Sequence, residues 1–149
     1  MYKIDLHTHS IASPDGSLDE NHYRKMLDSG RLDCIAVTDH NTIAFAKELH
    51  TKLGERIIVG EEITTLDGEI IGLYLTKPIK PGMSAVDTAR AVKEQGGLVC
   101  VPHPFETVRK GLQIAVLDAI ADQVDIIEVR NGRAVFQNKS KQAEAWAAE

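Results

Sequence analysis

Apolar residues along this chain alternate between two patterns. Short runs dense in Ile, Val and Leu, bounded by glycine or polar residues, fall at 2–7, 34–38, 57–63, 70–75, 98–101 and 125–129 and read as strands. Between them, amphipathic stretches at 18–29, 43–53, 84–94, 112–121 and 134–148 read as helices, and Gly30, Gly54 and Gly96 stand where helices should stop. Asp67-Gly68 is a turn signal between two strand runs, so 57–75 is expected to contain a hairpin. Strands alternating with helices of roughly ten to fifteen residues argue for βαβ units and a mainly parallel sheet in an α/β fold. The nearly unbroken apolar strands fit a sheet buried on both faces.

The polar residues collect at the carboxyl ends of those strand runs: His7 and His9, Asp39 and His40, Glu61 and Glu62, His103, and Glu128 and Asn131. In barrels and open α/β sheets that end is where active sites are built. Five strands are thus expected to deliver polar or metal-capable side chains to one rim.

Composition narrows the class. The chain has 149 residues, 43% apolar and 26% charged, enough for a single domain over 1–149 with a sizeable core. No apolar run approaches membrane-spanning length, and no signal-peptide core precedes the first acidic and histidine residues, so a cytoplasmic location is the default. A formal net charge of −5 argues against an extended nucleic-acid surface, though not against a nucleotide or strand end held in a local site. Cys34 and Cys100 lie inside apolar runs and read as buried thiols in a reducing compartment.

The chemistry begins with His7-Thr8-His9. Residues two apart in a strand share a face, so both imidazoles can address one cation. An isolated H-x-H is more often a pair of surface or hydrogen-bonded histidines, but here Asp5 precedes on the same face, where it could orient an imidazole. Ser13-Pro14-Asp15-Gly16 follows as a turn that could fold a carboxylate over the pair. Thr38-Asp39-His40-Asn41 ends the second strand run. Asp39 and Asn41 are reasonable backbone caps, which leaves His40 in need of a role. Glu61 and Glu62 point to opposite faces of one strand, and alternation alone does not say which faces the site; the other is expected at an exposed strand end. Pro102 and Pro104 bracket His103 and stiffen its backbone.

Taken in order, Asp5-Leu6-His7-Thr8-His9-Ser10, Asp15-Gly16, Thr38-Asp39-His40, Gly60-Glu61-Glu62 and Pro102-His103-Pro104 resemble the successive motifs of the PHP (polymerase and histidinol phosphatase) family, over residues 2 to about 133. The resemblance implies a distorted (β/α)7 barrel with two or three divalent ions (Mn, Fe or Zn), acting on a small phosphorylated substrate or nucleotide. It implies His7, His9, Asp15, His40, Glu62 and His103 as metal ligands, with the G-x-E pattern selecting Glu62. It implies Arg109 as a catalytic, phosphate-binding group, Arg133 and Asn131 as further substrate contacts, and Asp39 as an orienting residue and proton acceptor. An arginine fork suits phosphate geometrically.

Two departures qualify the match. Many members carry a histidine on the hairpin strand, whereas Gly68-Glu69-Ile70-Ile71-Gly72-Leu73-Tyr74-Leu75 has none, which predicts a reduced ligand count. The family's closing G-S-D-x-H motif is also absent from this chain, so the barrel is expected to be C-terminally incomplete. An open sheet edge needs a cover, which predicts either a longer chain or a homo-oligomer, with a dimer the expectation. The rival to a phosphoesterase is a PHP-like module that binds metal and turns nothing over. An amidohydrolase-like enzyme ranks third, since no lysine sits at a strand's carboxyl end to become a carboxylated bridging ligand.

Overall fold

Six of the Ile- and Val-rich runs form strands: β1 (Ile4–Thr8), β2 (Cys34–Val37), β3 (Ile57–Thr64), β4 (Glu69–Leu73), β5 (Leu98–Val101) and β6 (Ile126–Ile127). The computed structural model describes residues 1–131 and 139–148. The strands lie side by side in sequence order in one curled sheet, an incomplete barrel. β1, β2 and β3 are parallel, as are β5 and β6. β4 is antiparallel to both neighbours, because the Asp67-Gly68 turn folds the chain back on itself before β5 resumes the direction of β3. Gly68 sits there at φ 143°, a conformation that side chains resist.

Among the described residues five α-helices accompany the sheet: α1 (Glu20–Asp28), α2 (Ala44–Leu53), α3 (Ala85–Glu94), α4 (Ile114–Ala119) and α5 (Ser140–Ala147). Two of their starts are set by side-chain caps. Asp19 and His22 form a reciprocal cap on α1, and the Ser84 hydroxyl accepts from Asp87 N on α3. Gly30 and Gly54 adopt positive φ just past α1 and α2, as their positions predict. The stretch 112–121 yields a shorter helix than the amphipathic pattern suggests, and 134–138 lies outside the described residues. Among the described residues no helix is long and apolar enough to cross a membrane.

The core divides by sheet face. On the helix side, Ile63, Ile70, Val92, Val99 and Leu117 pack in one cluster, and Tyr23, Ile35, Val37, Leu49 and Ile57 in another. A third cluster joins Ala36, Ile58, Ile71 and Cys100 with Leu6 and Ile126, drawing at least one residue from each strand. Continuing two or four residues along the same face from Ala36, Ile58, Ile71 and Ile126 leads to His40, Glu62, Glu69 and Glu128. Side-chain alternation therefore stacks a polar rim on an apolar floor. Both cysteines are free, with Cys100 buried and Cys34 only half-buried.

Candidate metal centre

The rim is organised around Glu62, which is 1% exposed. Its Oε2 lies 3.4 Å from His7 Nε2, 3.1 Å from His9 Nε2 and 3.4 Å from His40 Nδ1, while Oε1 lies 3.1 Å from His103 Nε2. β1 brings His7 and His9 to the same place, with their Nε2 atoms 3.0 Å apart. Thr8, between them, turns away and donates from Oγ1 to Ala36 O, which pins the strand. Asp15 reaches the cluster from its turn, with Oδ1 3.7 Å from His9 Nδ1 and 3.4 Å from His40 Nε2. The six residues that the motifs single out are thus brought together.

Two overlapping donor groups result, His7–Glu62–His103 and His9–His40–Glu62, in each of which the donor atoms lie within 4.8 Å of one another. Two imidazole nitrogens facing each other at 3.0 Å need a proton or a cation between them. The donors are nitrogen and oxygen without sulfur, a set that suits Mn²⁺, Fe²⁺ or Zn²⁺. The residues present therefore fit divalent ions.

The support beneath these groups differs in part from expectation. Asp39, expected as an orienting residue and proton acceptor, lies behind the site and is fully buried. Its carboxylate accepts from Ser10 N (2.7 Å), Ser10 Oγ (2.6 Å) and Ser13 Oγ (2.9 Å). Those bonds leave it holding the 10–13 loop rather than touching a substrate. Ser13 Oγ in turn meets His9 Nδ1 at 3.3 Å and accepts from His40 N, so Asp39 acts on the histidines through Ser13. Asp5, expected to orient an imidazole, instead accepts from the backbone His7 N through Oδ1. That role falls to Glu128, beyond β6, whose Oε1 lies 3.3 Å from His7 Nδ1 and whose Oε2 accepts from His103 N at 2.7 Å. A carboxylate behind a metal-facing imidazole fixes its ring and tautomer.

His103 begins a tightly folded loop. His103, Phe105 and Lys110 adopt φ of 30°, 66° and 52°, a region that non-glycine residues enter at a cost and that clusters at functional sites. A Cβ on Gly111 would stand 2.1 Å from His103 O, so only glycine lets the loop close there. Arg109 lines the same cavity as the histidines and is gripped by buried Glu106, with Nε donating to Oε2 at 2.7 Å and Nη2 to Oε1 at 2.8 Å. Asn131 also lines the cavity and donates from Nδ2 to both oxygens of Glu128. Arg133 lies outside the described residues. The cavity encloses about 410 Å³.

The electrostatics follow from crowding these groups. Burial alone would raise the Glu62 carboxyl, but hydrogen bonds from His103, His7 and His9 outweigh it and hold Glu62 far below the usual carboxylate range. Burial opposes a proton on His7, yet Glu128 and Glu62 raise its pKa to about 9. Burial, then the charge of Glu62, pushes Glu69 up to about 7. Glu61, expected at an exposed strand end, is instead fully buried on the other face, where Oε2 accepts from Ile79 N at 2.8 Å.

Two site residues, Glu106 and Glu69, escape a reading of strand ends, and a third, Glu128, is named by it without its role. Glu128 stands among the rim residues in the sequence, but nothing there pairs it with His7, which is 121 positions away. Glu106 belongs to an irregular loop without periodicity. Glu69 is hidden by direction: β4 runs antiparallel, so its amino end meets the rim that the parallel strands reach with their carboxyl ends. A carboxylate just after a hairpin turn that follows the G-x-E strand is the signal that could have found it.

Comparison with known proteins agrees with this geometry. No family model matches the chain. An uncharacterized protein of Methanocaldococcus jannaschii, MJ1587, is 33% identical over 149 residues, covering 91% of this chain and 87% of that protein. A second uncharacterized protein of the same organism, MJ0417, is 35% identical over 141 residues, and the match spans 88% of this chain but only 53% of that one. Among solved structures, a proposed metal-dependent phosphoesterase of Bifidobacterium adolescentis superposes with a TM-score of 0.75 at 18% identity, covering 99% of this chain and 83% of the other. A two-domain protein of Bacteroides vulgatus containing a predicted PHP-like metal-dependent phosphoesterase gives 0.75 at 24% identity, over 99% of this chain and 48% of that one. An amidohydrolase of Chromobacterium violaceum, with bound sulfate and no metal, gives 0.62 at 17% identity, over 85% of this chain and 76% of the other. The chain belongs to one family with the MJ1587 protein, and it shares its fold with the solved structures described as a proposed metal-dependent phosphoesterase and a predicted PHP-like one.

Proposed function

We propose that this protein is a metal-dependent phosphoesterase that hydrolyses a phosphate monoester, or a nucleotide or oligonucleotide phosphodiester, by attack of water. The observation that carries this reading is the convergence of four imidazoles on Glu62, with Arg109 on the wall of the same cavity. His7, Glu62 and His103 would hold one divalent ion, and His9, His40 and Glu62, with Asp15, a second. Such ions acidify water from a pKa near 16 towards ~7 and offset phosphoryl charge.

The chain's own residues supply the rest. Glu106 occupies two of the five N–H donors of Arg109 and aims the guanidinium, which leaves the fork able to meet phosphate oxygens. Glu128 fixes the His7 ring, and Asp39 fixes the loop beneath His9 and His40 through Ser13. A cavity of about 410 Å³ is near the small end of the range of ligand sites, which runs from roughly 300 to 1,000 Å³. That size suits a small phosphorylated compound or the end of a strand. Fold neighbours that include proposed phosphoesterases agree with this reading.

The test is turnover of 4-nitrophenyl phosphate and bis(4-nitrophenyl) phosphate by metal-stripped protein reloaded with Mn²⁺, Fe²⁺ or Zn²⁺. The expected result is hydrolysis that needs the ion and stops with chelator. Full metal loading with neither ester hydrolysed would favour a binding module, and no loading at all would sink the reading.

A further inference from the structure

The hairpin strand carries no histidine, yet it does not leave its side of the site empty. β4 starts at Glu69, and the register sets Ile71 opposite Glu62 and Glu69 opposite Thr64. Directly opposed residues in an antiparallel pair share a face, as do residues two apart in a strand. Glu62, Thr64, Ile71 and Glu69 therefore share a face, and Glu69 lines the cavity on the diagonal from Glu62. It is only 9% exposed. Its backbone N donates to Lys110 O at 2.9 Å, which ties the start of β4 to the loop that bears His103 and Arg109.

Its carboxylate repeats the arrangement of Glu62. Glu62 offers Oε1 to His103 Nε2 at 3.1 Å and Oε2 to His40 Nδ1 at 3.4 Å. Glu69 offers Oε2 to the same His103 Nε2 at 3.7 Å and Oε1 to the same His40 Nδ1 at 3.9 Å. Those separations exceed a hydrogen bond. They match two donors sharing an ion: with bonds of about 2.1 Å, donors stand roughly 3.4 Å apart at the tetrahedral angle and at most about 4.2 Å apart. His103 belongs to one donor group and His40 to the other. Glu69 thus spans both groups, with one oxygen turned to each.

We propose that Glu69 is a metal ligand, the carboxylate with which this chain's hairpin strand takes the place of a histidine, and that it joins Glu62 in bridging the two ions. This rests on the metal-dependent reading above. Replacing an imidazole by a carboxylate hardens the donor set, so the site's relative preference moves towards Mn²⁺ and away from Zn²⁺.

The experiment is titration of metal-stripped full-length protein with Mn²⁺ and with Zn²⁺, followed by calorimetry and by the electron paramagnetic resonance of free Mn²⁺. Wild type is expected to bind two ions. Glu69→Gln and Glu69→Ala should lose one of them or weaken it at least ~10-fold, since even residues behind the ligands are worth that much. Glu69→His should restore the second ion and raise the Zn²⁺-to-Mn²⁺ affinity ratio. Circular dichroism and melting of the stripped variants check that each folds, and Glu69→Gln preserves volume if Glu69→Ala does not fold. Two ions on wild type with unchanged stoichiometry and affinity in Glu69→Gln would overturn this inference alone. No ion on wild type would overturn it together with the metal-dependent reading.

Discussion

Glu61 and Glu62 are neighbours on β3, equally buried, and live in opposite chemistry. Glu62 faces the concave side among four imidazoles, where hydrogen bonds from His103, His7 and His9 outweigh burial and hold its carboxyl far below the usual range. Glu61 faces the helix side, where burial raises its pKa and a single N–H, from Ile79, offsets part of the rise. Its Oε1 is buried without a hydrogen-bond partner among the described residues. The strand's two faces decide what a buried carboxylate meets: four imidazoles on one side and a single backbone N–H on the other. Burial sets the cost of charge in both places, and only a set of cationic or metal-binding partners repays it.

The largest expected effect breaks the concave face. Glu62→Ala should remove the group shared by both donor sets, with loss of bound metal and a fall in phosphate-ester turnover of at least ~1,000-fold, about 4 kcal/mol of transition-state stabilisation. Metal content by mass spectrometry beside a turnover assay checks it, and retained metal would break the comparison. Next, Glu128→Ala releases the His7 ring, and metal affinity measured by calorimetry should fall ~10- to 100-fold with the fold intact.

A smaller effect separates holding metal from holding substrate. Arg109→Ala should raise KM for 4-nitrophenyl phosphate ~10-fold, the worth of one charge-assisted hydrogen bond, with metal content unchanged. Glu106→Gln should raise KM less, because it loosens the aim of the guanidinium without removing it. Loss of metal from either variant would instead make Arg109 and Glu106 part of the ion-holding framework.

The smallest effect tests the helix face. Glu61→Gln should leave metal binding and turnover unchanged and shift stability by less than about 1 kcal/mol at neutral pH. Because the folded Glu61 pKa lies above its unfolded value, the stability it contributes is full below the unfolded pKa of ~4.3 and is lost as pH rises through the folded value. Wild type should therefore lose stability relative to Glu61→Gln as pH climbs above ~4.3. Denaturant melts at several pH values read this directly, and parallel curves would show Glu61 to be charged and compensated.

Much of the site was legible because metal chemistry restricts residue type and strand ends restrict place. His7, His9, Asp15, His40, Glu62 and His103 are named by motif, and the fold brings their donor atoms together. Asp39 shows where that reasoning stops. A carboxylate beside a site histidine looks chemical in sequence, yet Asp39 is buried and holds the 10–13 loop through three hydrogen bonds from Ser10 and Ser13. Glu69 fails in the opposite sense: the carboxyl-end rule belongs to parallel strands, and β4 presents its amino end to the rim.

The strand and helix periods, the hairpin at Asp67-Gly68 and the six motif residues can be read along the chain, because periodicity, turn chemistry and ligand type are local. Folding adds that Glu128 backs His7, that Glu106 grips Arg109, that Glu69 enters the site, and that Glu61 is buried away from it. Across the sheet those outcomes depend on which strands meet, in what direction and register, and a pairing between positions 121 residues apart leaves no local trace.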